Sequence, residues 1–212
     1  MIADFKNKKI LIISPHPDDL EIGMGGTAFI LSKKNQIYHI ICTNGSGSTN
    51  EFSSKELLIQ KRKNESKQSN NFLKVKESKI YKIDHIKNNK NKLEFIKLLK
   101  QDIKKIRPDI LFCTHPKLDN HPTHRKISRE IMKIINKNKI KIFYYPVWGC
   151  FNKFNYYVDI SKVIEKKKKM INFHKSQTSY KDYVQGIIGL NKYHAVFNNI
   201  KKDNEAYIEV FI

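Results

Sequence analysis

Short apolar runs rich in β-branched residues alternate along this chain with longer stretches whose apolar positions recur every three or four residues. Lys9 to Ser14, Ile37 to Thr43, Ile80 to Ile83, Ile110 to Cys113, Ile140 to Tyr145 and Tyr207 to Ile212 read as strands. The spacing between them predicts helices over Gly25 to Lys34, Ser54 to Leu73, Leu93 to Ile106, Arg125 to Asn136 and about Ile160 to Ser176. The first is opened by glycines, the second by a serine cap, and Arg107-Pro108-Asp109 ends the third. Asn44 to Ser48 is a loop. Strands alternating with helices over short connections predict an α/β fold with a mostly parallel sheet. Ligands of such sheets sit beyond the carboxyl ends of the strands.

Composition narrows the reading. The chain has 212 residues, 40% of them hydrophobic and 11% aromatic, enough for one domain over 1–212 with a real core. The net charge is +21, but only Arg62, Arg107, Arg125 and Arg129 among the 41 basic residues are arginine. Lysine spread along a chain also rich in Asn and Ile points to a compositional bias; no specific nucleic-acid partner is expected. The Lys166 to Lys169 run reads as a solvated helix face. Cys42, Cys113 and Cys150 are far apart and odd in number, which suits reduced core cysteines in a cytoplasmic protein. The N-terminus lacks a signal-peptide pattern and no apolar stretch is long enough to span a membrane.

Two connections on the active edge carry chemistry. After the first strand comes Pro15-His16-Pro17-Asp18-Asp19-Leu20-Glu21, three acids and a histidine behind a buried run. Charges there need a partner, and a cation is the natural one. After the fourth strand comes His115-Pro116-Lys117-Leu118-Asp119-Asn120-His121-Pro122-Thr123-His124. Imidazole with carboxylate suits zinc or a similar divalent ion. Two histidines and one aspartate would leave a coordination position open, the mark of a catalytic site. A spare carboxylate can take a proton and a spare histidine can steady an oxyanion.

These segments resemble the LmbE-like, or PIG-L-type, zinc N-deacetylases. The first motif of that family, His-Pro-Asp-Asp followed by an acid and Gly-Gly, stands here as His16-Pro17-Asp18-Asp19 with Glu21 and Gly25-Gly26. The second stands as His121-Pro122-Thr123-His124-Arg125, and lesser matches are Thr43-Asn44-Gly45, Arg62 with Glu65, His174-Lys175-Ser176-Gln177 and Glu209-Val210-Phe211. The resemblance implies a Rossmann-like three-layer α/β/α fold. It implies zinc held by His16, Asp19 and His124, with Fe2+ or Co2+ as ions the same ligands take. Asp18 would be the general base, His121 an acid or oxyanion stabiliser, and Arg62 a substrate-binding residue. The family has Asp where this chain has Thr123, and Asp119 is the candidate to orient His121 in its place.

The expected activity is removal of acetyl from an N-acetylated amino sugar or N-acetylglucosamine conjugate, with a small sugar conjugate as partner. A homo-oligomer is compatible with this. Two other readings stand beside it: an amidase on a thiol or other amide conjugate, and a basic polyanion-binding protein with a vestigial metal site. His115 suits a loop-stabilising role as well as a site role. His174 with Ser176-Gln177 suits a structural role. Tyr144, Tyr145 and Trp148 after the fifth strand suit a sugar-stacking wall, with core packing the commoner role for the two tyrosines, and Tyr180, Tyr183 and Tyr193 are candidates for lining the pocket.

Overall fold

The computed structural model describes residues 2–47, 54–86, 88–135, 139–200 and 206–212. Ser48 of the expected loop and Asn136 of the expected helix lie outside them. The strands are β1 (Lys9–Ser14), β2 (Gln36–Ile41), β3 (Glu77–Ile80), β4 (Ile110–Thr114), β5 (Lys141–Tyr145), β6 (Tyr156–Asp159) and β7 (Ile208–Phe211). The helices are α1 (Asp19–Ser32), α2 (Lys55–Leu73), α3 (Asn89–Ile106), α4 (Pro122–Ile134), α5 (Ile164–Phe173), α6 (Lys175–Thr178) and α7 (Tyr183–Phe197).

Five strands form one sheet in the order β3-β2-β1-β4-β5, every pairing parallel. Ile10, Leu11, Ile12 and Ile13 of β1 are all fully buried, as a strand covered on both faces requires. One apolar layer joins Ile10 and Ile12 to α1 and α5 residues such as Ala28 and Met170. The other joins Leu11 and Ile13 to Phe95, Leu99, Ile127 and Ile131 of α3 and α4. The three-layer α/β/α expectation therefore holds. From β1 the chain runs outward through β2 and β3, then returns to place β4 on the other side of β1. The switch point lies between β1 and β4, where the fold opens a crevice.

Several elements differ from expectation. β3 ends where it was expected to begin, at Ile80. The stretch from Ile160 divides into α5 and α6 around His174. β6 and α7 come without a clean periodic signal, and β7 pairs antiparallel with β6 in a separate two-stranded sheet. β7 reaches the main sheet only at its end, where Ile212 and Tyr144 exchange backbone hydrogen bonds of 2.8 and 3.2 Å.

The largest difference is in α1, which starts at Asp19 and kinks at Met24 (φ −145°, ψ 25°). Below the kink, the Glu209 carboxylate accepts the Gly26 and Thr27 N–H groups at 3.0 and 2.7 Å. It acts as a borrowed N-cap for the second half of the helix. A Cβ on Gly26 would stand 2.7 Å from Ile160, so the helix approaches closely only because nothing is there. Lys167 completes the arrangement, its ammonium 2.5 Å from Glu209 with both side chains fully buried. The Lys166–Lys169 run is thus not wholly a solvated face; burial pulls the Lys167 pKa down and Glu209 opposes it. Cys42 and Cys113 are buried as expected, whereas Cys150 is exposed.

Glu209→Gln is expected to strand a buried ammonium and destabilise the protein by about 3–5 kcal/mol. The double replacement Lys167→Met/Glu209→Gln should recover much of that loss, as read by urea unfolding.

Candidate active site

The two chemical loops leave the sheet side by side at the switch point. After β1, the His16 N–H donates to Asp19 Oδ2 at 2.7 Å, a tight turn that starts α1. Asp19 and Glu21 fall in the first turn of α1, where the helix dipole favours negative charge. After β4, His121 caps α4: its ring Nδ1 accepts the Thr123 N–H at 3.2 Å, with Pro122 at the first helical position. One turn into α4, His124 faces the first loop.

Three atoms converge there. His16 Nδ1 lies 2.9 Å from His124 Nε2, and Asp19 Oδ2 lies 3.3 Å from His124 Nε2 and 3.4 Å from His16 Nδ1. Ligands about 2.0 Å from a tetrahedral ion are separated by about 3.3 Å, so the triangle fits one divalent metal. His16, His121 and His124 also offer ligand nitrogens within 4.8 Å of one another. The Asp19-containing set is the tighter, and His121 already spends Nδ1 on its cap. Asp119 Oδ2 contacts His124 Nδ1 at 3.1 Å, which turns Nε2 toward the ligand triangle. This departs from the expectation that Asp119 orients the His121 ring; its other oxygen accepts the His121 backbone N–H, at 2.8 Å.

Asp18 is held from the opposite wall. The Arg62 guanidinium donates to Asp18 Oδ1 at 2.7 Å and to the Gly45 carbonyl at 3.3 Å. Burial pushes the Asp18 carboxyl up, but Arg62, then His174 and His16, outweigh it and hold it below its ordinary value. Gly45 has φ +74°, and a Cβ there would stand 2.8 Å from Arg62 Nε, so this turn needs glycine. Arg62 was expected on the substrate; it lines the cleft but is 2% exposed and spent on Asp18.

Burial, then the His124 and His16 rings, pull His121 down to about 4. Its ring is neutral near pH 7, and because Nδ1 accepts a hydrogen bond, the proton sits on Nε2. For His124, burial is outweighed by Asp19 and Asp119, and its pKa rises.

Other candidates divide cleanly. His115 accepts the Lys117 and Leu118 N–H groups, the loop-stabilising alternative. Trp148, Tyr180 and Tyr183 line the cleft, which encloses about 540 Å³; Tyr193 does not. Glu65 accepts the Ser176 N–H and hydroxyl at 2.7 and 2.6 Å, so the Arg62/Glu65 and Ser176/Gln177 segments meet. Two buried partnerships went unread in the sequence. Glu21 lies 3.4 Å from His174, which packs behind Asp18. His39 joins Ser14 (2.9 Å) to Asn70 (2.8 Å) beneath the loop, too deep to reach a substrate. A lone histidine within an apolar strand was the only available signal for the latter.

Residues 11–135 match the family described as PIG-L: GlcNAc-PI de-N-acetylase. The chain belongs to that PIG-L family. It is 32% identical over 198 residues to a diacetylchitobiose deacetylase of Thermococcus kodakarensis, covering 80% of this chain and 70% of that protein. An N,N'-diacetylchitobiose deacetylase from Pyrococcus horikoshii, solved with an inhibitor, superposes with a TM-score of 0.77 at 27% identity. That match covers 97% of this chain and 83% of the Pyrococcus chain. The 4-carboxy-2-hydroxymuconate hydratase GalB from Pseudomonas putida reaches the same TM-score at 14% identity, covering 96% and 95%. The last likeness is one of fold alone; the chemistry of a PIG-L chain is read from its site.

Asp119→Asn is expected to weaken divalent-metal binding about 10–100-fold by loosening the His124 ring. Competition with a chelator measures this; unchanged affinity would mean that the Asp119–His124 contact does nothing for the ion.

Proposed function

We propose that the chain is a zinc-dependent N-deacetylase that hydrolyses the acetamide of an N-acetylated amino sugar or its conjugate, releasing acetate and a free amine. The observation that carries this is the placement of Asp18 beside the His16–Asp19–His124 triangle with the His121 ring facing it, in a chain of the PIG-L family. Two imidazoles and a carboxylate suit zinc, and also Fe2+ or Co2+. The similarity to diacetylchitobiose deacetylases supports an N-acetylglucosamine-type substrate. We read the whole chain as one such domain, and its two buried, unpaired thiols favour the cytoplasm. Among the described residues no helix is long and apolar enough to cross a membrane.

His16, Asp19 and His124 would hold a divalent ion, which would supply Lewis acidity to polarise the acetyl carbonyl and acidify water. Asp18, kept charged and aimed by Arg62, takes the proton from the attacking water. His121, neutral with its proton on Nε2, donates a hydrogen bond to the oxygen on which charge builds. As the C–N bond breaks, Asp18 returns the proton to the departing amine. Arg62 in this scheme is a positioning residue acting through Asp18.

Acetate release from N-acetylglucosamine and N,N'-diacetylchitobiose, with metal analysis of the same sample, tests the reading. Asp18→Ala should lower kcat by about 10²–10⁴-fold and His121→Ala by about 10²–10³-fold. Absence of both metal and acetate would sink it. Arg62→Gln should lower kcat with KM nearly unchanged; a change confined to KM would restore Arg62 to the substrate.

A further inference from the structure

Trp148 is the single tryptophan of the chain, and it is 41% exposed at the mouth of the cleft. Its backbone is pinned to the second site loop. The Trp148 N–H donates to Asp119 Oδ2 at 3.4 Å, and its carbonyl accepts the Asn120 N–H at 2.8 Å. Gly149, at φ +107°, lets the Asn120 side chain pack where a Cβ would stand 2.8 Å from its nitrogen. The same Asp119 carboxylate holds His124, so the Trp148 backbone is tied to the ligand triangle. The Trp148 ring lies 6.0 Å from the His121 ring. A partly exposed aromatic ring beside the site, on a backbone anchored to the second loop, suits the apolar face of a sugar ring.

Charge adds a second preference. The Lys181 ammonium lies 5.6 Å from the Trp148 ring centroid, and Lys55 lies on the cleft wall. Neither lysine has a carboxylate partner among the described residues. Asp84 on the same rim is engaged by the Asn44 amide. At about 540 Å³ the cleft falls within the roughly 300–1,000 Å³ of sites that take ligands larger than one small group.

We propose that Trp148 and Lys181 form a second subsite, which takes the unit attached to the N-acetylated sugar and favours an acidic sugar there. The proposal rests on the deacetylase reading and extends it to the substrate class: an N-acetylated amino sugar linked to a uronic acid or similarly carboxylated ring. The carboxylate meets Lys181 while the ring face lies on the indole.

The single tryptophan makes binding visible without turnover. Three probes serve: the methyl glycoside of N-acetylglucosamine, neutral N,N'-diacetylchitobiose, and a disaccharide of N-acetylglucosamine with glucuronic acid. Both disaccharides should change Trp148 emission, and the methyl glycoside should not. The acidic one should bind about fivefold more tightly at low salt, the upper end for an exposed ion pair. The advantage should shrink with salt and fall to parity in Lys181→Gln. Trp148→Ala should raise KM for the disaccharides about tenfold relative to the methyl glycoside. Equal affinity for the acidic and neutral disaccharides, or unchanged emission with a saturating disaccharide that is hydrolysed, overturns the proposal. Emission changes with no acetate from any probe would support the subsite and sink the deacetylase reading.

Discussion

The pairing of β1 with β4 is the constraint on which the site depends. Ile10, Leu11 and Ile12 lie opposite Ile110, Leu111 and Phe112, in parallel. This register sets the ends of the two strands level, so loops about a hundred residues apart in sequence leave together. His16 and His124 consequently meet at 2.9 Å. Burial drives the pairing: β1 contributes four fully buried aliphatic side chains, each worth about 1.5–3 kcal/mol against exposure. The chemistry is thus placed by an apolar interaction that contains no chemistry. Local turns then aim the side chains, with Asp19 closing the first loop and His121 capping the second.

A second constraint is electrostatic. A charge taken out of water costs several kcal/mol unless it is compensated. Asp18 has Arg62, His124 has Asp19 and Asp119, Glu209 has Lys167 and two backbone N–H groups, and Glu21 has His174. Three of these pairings converge on the crevice, and the fourth fixes the helix that starts there. The charge of +21 contributes little to this arrangement, since among the described residues Lys167 is the buried exception to a lysine content otherwise largely at the surface.

The parallel sheet and the two loops were legible because each buried strand is a continuous apolar run that ends in a dense cluster of ligand-type residues. The partners of those residues were not legible. Arg62 sits in a lysine-rich helix, and nothing local shows that its guanidinium turns inward to Asp18. Lys167 sits in a run of four lysines, and only the three-dimensional position of Glu209 separates it from its neighbours. β6 and α7 escaped for a different reason: Tyr156 and Tyr157 are half exposed, and the buried stripe of α7, Ile188, Asn191, His194 and Ala195, is half polar while Phe197 is exposed, so neither shows a clean apolar face in sequence. Pattern reads burial well and reads the pairing of buried polar groups poorly, because pairing depends on side chains that meet across the fold.

Thr123 shows what such pairing decides. The resemblance leads one to expect an aspartate there to support His121, with Asp119 as its stand-in. In the fold Asp119 is committed to His124 and to the Trp148 backbone, and among the described residues no carboxylate bonds the His121 ring. The Thr123 backbone N–H occupies Nδ1 instead. A ring whose one nitrogen accepts from a helix N-terminus and whose other carries the proton gains nothing from becoming cationic. Burial and two neighbouring imidazoles push the same way. In the mechanism we propose, this histidine is accordingly the oxyanion donor rather than the acid, and Asp18 carries the proton in both directions.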